Sequence, residues 1–190
     1  MLYIAEKIKE KKMTIKMKVF YSTVLVLVLV PSILFAEEKL KRYSNPNYHI
    51  EMKYPSSWTY RDNIPGAMVG FASPREDAGD VFQENVIVLV QDMSSSPMSL
   101  ENYTKLSENQ AVKMFPLGKI VKSEPMTLSG LPGHKIIATH MQGQMVMKQM
   151  GAWTIIGSKA YLLTYSAEEE KFQKFLKDAE SIFQSFEIKS

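Results

Sequence analysis

The chain has 190 residues, 45% hydrophobic and 23% charged, which are globular proportions and exclude wholesale disorder. It has no cysteine, which excludes disulfides, thiolate metal sites, a cysteine nucleophile and a lipid-modified cysteine at a cleavage site. Residues 1–36 hold six lysines and two glutamates, so a chain of formal charge +3 leaves residues 37–190 at −1, without the basic footprint of a nucleic-acid binder.

The amino terminus reads as an address. Lysines at positions 7 to 18 precede an apolar run over residues 19–30, then Pro31, and the segment ends at the small residue Ala36. That is the order of a secretory signal, with cleavage expected after Ala36. The alternative is an uncleaved membrane anchor, for which the run is short against the ~20 residues of a span. Either outcome places the body outside the cytoplasm, periplasmic or secreted, with membrane contact only through this segment if it is retained.

Residues 37–47 are polar and end in Asn45-Pro46-Asn47, which reads as a linker ahead of one domain over residues 48–188. Tyr48, Ile50, Met52 and Tyr54 alternate with His49, Glu51 and Lys53, the pattern of a half-buried strand. Short strands follow at residues 58–60 and 68–71, then a charged loop over 74–84. Residues 86–90 are apolar throughout and mostly β-branched, which predicts a central strand covered on both faces.

Ser99 is placed to cap a helix over 100–115 whose apolar face is Leu100, Tyr103, Leu106, Ala111 and Met114. A strand over 119–128, a turn over 129–133, and apolar segments at 134–141, 145–156 and 160–165 predict an antiparallel meander. Its turns centre on Gly143 and on Gly157-Ser158. Ser166-Ala167-Glu168-Glu169 matches a capping box for the last helix, whose stripe is Phe172, Phe175, Leu176, Ala179, Ile182, Phe183 and Phe186. The fold class is α+β, a central antiparallel sheet flanked by helices on both sides.

Catalytic signatures are missing. There is no Gly-x-Ser-x-Gly elbow, phosphate loop, dinucleotide fingerprint or His-Glu-x-x-His. His134 and His140 on one strand stand ~20 Å apart, too far to share a metal ion. The expectation is no enzyme, no catalytic residue and no cofactor; a hydrolase with an unrecognised site is an alternative.

Two features are weighed for ligands. Met141, Met145, Met147 and Met150 fall within ten residues beside His140. Thioethers suit Cu(I), so Met141, Met145, Met147 and His140 form a candidate soft-metal site, against the plainer reading that methionines fill the core. Glu76, Asp77, Asp80 and Glu84 could hold Ca²⁺ or Mn²⁺, against the plainer reading of a solvated acidic loop.

Taken in order, Tyr54-Pro55-Ser56-Ser57-Trp58, Phe71-Ala72-Ser73-Pro74, Asn85-Val86-Ile87-Val88, the helix opening at Ser99-Leu100-Glu101, Ala160-Tyr161 to Thr164-Tyr165, and the closing Ser185-Phe186 make a set. Over residues 43–188 this set resembles the PsbP-like family, named for an extrinsic protein of the oxygen-evolving complex of photosystem II. The resemblance implies an α/β/α sandwich and a non-enzymatic exported accessory protein that docks on a membrane or envelope protein complex. Some members of that family are associated with Ca²⁺ or Mn²⁺ retention. The expected state is a monomer, and Tyr60, Arg61 and the loop over 75–84 are candidate contacts.

Overall fold

The computed structural model describes residues 39–62 and 64–189. They belong to one compact unit, Glu37–Ser190, which holds all of the elements below. The signal or anchor expected over residues 1–36 lies outside the described residues.

A three-stranded sheet opens the chain. Strand β1, Leu40–Asn45, pairs antiparallel with β2, Ile50–Pro55, whose other edge takes the terminal strand β10, Glu187–Ile188. The linker expected over 37–47 is therefore corrected: residues 40–45 are a strand. Its side chains are polar or exposed except Tyr43, so backbone pairing rather than apolar burial holds it. Tyr48 and His49 are not in β2 but in the turn before it, where His49 has φ 53°.

The main sheet has seven antiparallel strands. They are β3 (Thr59–Asp62), β4 (Val69–Ala72), β5 (Asn85–Asp92), β6 (Lys119–Leu128), β7 (Leu131–Gln142), β8 (Met145–Ile156) and β9 (Lys159–Glu168), in the order β3-β4-β5-β9-β8-β7-β6. Helix α1, Leu100–Lys113, lies between β5 and β6 in sequence, and helix α2, Phe172–Gln184, follows β9. A large antiparallel sheet with two helices is an α+β fold.

Register assigns every side chain to a face. The row Phe71, Val86, Tyr165, Met150, Ile137 points into the larger core. That core is covered by the three-stranded sheet, through Ile50, Met52 and Tyr54, and by α2, through Phe172, Phe175, Ala179, Ile182 and Phe183. The cover on this side is thus a strand layer with one helix, not helices alone. The opposite row positions, Ile136, Trp153 and Ala160, join Tyr103 of α1 and Met93 in a smaller core.

Strand β5 is central, but only Val86 and Val88 are fully buried; Ile87 and Leu89 are half-exposed. The expectation of cover on both faces fails there because α1 packs mainly over β6 and β7.

Helix α1 is capped by the Ser99 side chain, which accepts from the Asn102 amide. It ends at Lys113, two residues before the expected end, and its buried residues are Tyr103 and Thr104, while Leu106 and Met114 face solvent. Thr104 is the anchor the apolar pattern missed: its hydroxyl accepts from Trp153 Nε1 at 3.0 Å. The capping box is likewise corrected. Ser166 and Glu168 belong to β9, Ser166 accepts from Gln149, and α2 begins at Phe172 with no side-chain cap.

Ile182 is fully buried in the larger core. Ile182→Ala should cost about 2–5 kcal/mol. The melting temperature of residues 37–190 should fall by roughly 2–4 °C per kcal/mol; an unchanged melting temperature would show that α2 does not dock.

Candidate functional site

A recess of about 700 Å³ opens at the junction of α2, β10 and the β6–β7 hairpin. Its floor is apolar, with Met150, Phe183 and Phe186 buried and Met126 and Ile188 half-buried. Its rim is polar: Thr127, Glu180, Gln184, Glu187 and Lys189 are exposed. The tight turn Ser129-Gly130 forms one wall, with φ positive at both residues, the backbone of a two-residue hairpin. The Ser129 hydroxyl is spent on structure, accepting from the Ile188 amide at 2.7 Å. An apolar floor inside a polar rim is the makeup of a binding surface.

The acidic loop is divided: Glu76 and Asp77 are exposed, while Asp80 and Glu84 turn inward. Asp80 and Glu84 are 5% and 0% exposed. Asp80 Oδ1 accepts from Lys171 Nζ at 2.9 Å, and Glu168 holds the same ammonium at 3.1 Å. Arg75 donates to the Asp80 carbonyl, and Glu76 pairs with Lys174, so the loop is fastened to the start of α2. Lys171 holds the Asp80 carboxyl below its usual range, and the pair raises the lysine in turn. Glu84 behaves oppositely. Its Oε2 accepts from Ser73 at 3.3 Å, Oε1 has no partner, and burial pushes its pKa up.

The proposed soft-metal set is split by the sheet, with Met141 apart from the other three. In the β7–β8 ladder His140 faces Met147, and Met145 lies on the same side of the sheet. Met141 pairs with Val146 and points to the other side, because successive residues of a strand alternate. His140 and Met147 are buried, and the imidazole stacks on Phe115 with centroids 4.3 Å apart, its pKa lowered by burial. His134 stacks on Trp153 and shares a 2.7 Å hydrogen bond with Ser123. Among the described residues no group of three His, Asp or Glu side chains could hold a metal ion.

Tyr60 and Arg61 fall on opposite faces of β3. Tyr60 packs edge-on to Tyr43 and Tyr54, and Arg61 lines a recess of about 240 Å³ with Gln83, Asn85 and Ile87. The main recess was not among the candidates. Its residues are scattered over positions 126–189, and no spacing in the sequence joins them.

No family model and no curated protein sequence matches the chain. Solved structures do. Cyanobacterial PsbP from Synechocystis sp. PCC 6803 superposes with a TM-score of 0.59 at 18% identity, over 80% of this chain and 93% of that one. LpqN of Mycobacterium tuberculosis, described as involved in cell envelope biogenesis, gives 0.62 at 11% identity, over 82% and 88%. PA94 of Pseudomonas aeruginosa, a protein of unknown function, gives 0.54 at 11%, over 77% and 94%. The fold is PsbP-like.

Glu84 gives a signed expectation. Its raised pKa means the fold prefers the neutral form, so its penalty is full above the folded pKa and disappears as pH falls below the unfolded carboxylate value of ~4.3. Glu84→Gln should add about 1–3 kcal/mol at neutral pH. In thermal melts the gain should shrink towards zero near pH 4; a gain that persists there would show that the charge is not its cause.

Proposed function

We propose that this is an exported, non-catalytic accessory domain that docks on a protein complex of the membrane or cell envelope. The recess beside α2 carries the reading. Its apolar floor accepts a side chain, its charged rim sets orientation, and its hydroxyl at Ser129 is committed to the Ile188 amide. Two lines support it. The amino-terminal sequence has the order of an export signal. The fold is shared with cyanobacterial PsbP and with LpqN, an envelope-biogenesis protein, and likeness of fold is an analogy rather than an assignment.

The bound segment would place one apolar side chain over Met150 and Phe183, with polar groups meeting Glu180 and Lys189. Divalent ions are left out of the proposal, since Asp80 is already paired with Lys171.

Site-specific photo-crosslinking in intact cells tests the docking. A photoreactive residue at Thr127 or Gln184, on the rim, should give one discrete adduct with an envelope protein. The same residue at Lys105, on the exposed side of α1, should not. Glu180→Lys should reduce the rim adduct several-fold. Equal labelling from all three positions would sink the docking reading.

A further inference from the structure

The turn between α1 and β6 carries a feature that neither folding nor the recess explains. Met114 is 68% exposed and Leu117 82%, with Val112 and Val121 also exposed on either side, whereas Phe115, 40% exposed, is partly occupied by its stacking on His140. Large apolar side chains grouped at a tip mark a contact site more often than chance exposure does.

The backbone of the tip is fixed. A Cβ on Gly118 would come within 2.5 Å of the Ala111 carbonyl and 2.7 Å of the Val112 carbonyl, so the chain is pressed against the last turn of α1. The Pro116 carbonyl accepts from the Met141 amide at 2.8 Å, which ties the turn to β7. Leu117 sits at φ 55°, a left-handed conformation that asparagine or glycine adopts at lower cost. Tight packing accounts for that backbone. It does not account for leucine at the position.

Charge identifies the occupant. Residues 109–123 contain Lys113, Lys119 and Lys122 and no acid. All three lysines are exposed, and Lys122 is shared with Glu124. Two acids border the stretch, Glu124 paired with Lys122 and Lys135, and Glu108 accepting from the Ser123 hydroxyl at 2.6 Å, so Lys113 and Lys119 are the cations that flank the apex.

We infer that the α1–β6 turn is a membrane-contacting tip, with Met114 and Leu117 entering the interface of an anionic phospholipid bilayer and Lys113 and Lys119 meeting its headgroups. A tip of a few residues is too small for a protein interface, which takes about 20–30 residues a side. It has the makeup of an interfacial anchor, apolar at the apex and basic at the flanks. The contact is separate from the docking recess, which lies at the other end of β6, ~30 Å along a strand of this length. It also adds to the sequence expectation, which allowed membrane contact only through the amino-terminal segment.

The test uses residues 37–190, which carry both cores and lack the apolar amino terminus. Flotation with vesicles of phosphatidylglycerol and phosphatidylcholine is compared with phosphatidylcholine alone. Partitioning onto the anionic vesicles is expected, weakening as salt rises. Leu117→Asn suits the left-handed backbone, so its melting temperature should hold or rise while partitioning drops about tenfold. Lys113→Glu and Lys119→Glu should each lower it roughly fivefold or more. No preference for anionic vesicles, or undiminished partitioning of Leu117→Asn, overturns the proposal. Loss of the envelope-protein adduct in Leu117→Asn without any change in flotation would make the tip a protein contact and overturn it as well. Failure of the rim crosslink alone would leave this result untouched and count only against the docking proposal.

Discussion

Three two-residue turns decide where every side chain of the main sheet goes. Leu128 pairs with Leu131, Gln142 with Met145 and Ile156 with Lys159, so β6, β7, β8 and β9 are joined with no slack. Side chains alternate along a strand, and a slip of one residue would invert the entire pattern. The positive φ values of Gly130, Gly143 and Gly157 are the local condition for that register. From it follow Trp153 under α1, Met150 and Tyr165 in the larger core, and the separation of Met141 from Met147 across the sheet.

The two faces are closed by different means. One is sealed by aromatic and aliphatic volume, with Trp58, Phe172 and Phe186 among the most buried side chains. The other relies on fewer, more polar fixings: the Trp153 indole donates to Thr104, and Tyr103 donates to Gln91 at 2.9 Å. Burial raises the Tyr103 pKa to about 12, so that hydroxyl stays a donor throughout the physiological range. The charged loop before β5 mixes the two strategies. Asp80 is buried with a partner, Glu84 is buried with half a carboxylate unmatched, and their titrations push stability in opposite directions.

Much of this was legible in the residues. The strands over 119–165 and the apolar stripe of α2 follow from periodicity, and the PsbP-like fold was signalled by an ordered set of short motifs. Other features were hidden for physical reasons. Strand β1 is an edge strand with one buried side chain, so hydropathy cannot show it. Glu168 and Glu169 resembled a helix start because charge near an apolar run has the same appearance in a strand end. Glu84 looked solvated because a carboxylate usually is. The recess was invisible because residues near position 126 meet residues near 186 only after the sheet has formed. The α1–β6 tip was concealed by the helical period itself, which assigned Met114 to the buried face and carried the helix two residues too far.

The outer edge of β6 bears on how copies of this protein meet one another. A ten-residue border strand is long enough to recruit a strand from a neighbouring molecule and seed a growing sheet. Here the register breaks between Ile120 and Lys122, Pro125 offers no amide hydrogen, and Lys119 and Lys122 project charge along the same border. Copies of the domain at high local concentration would therefore meet along a border that is poorly suited to zippering together.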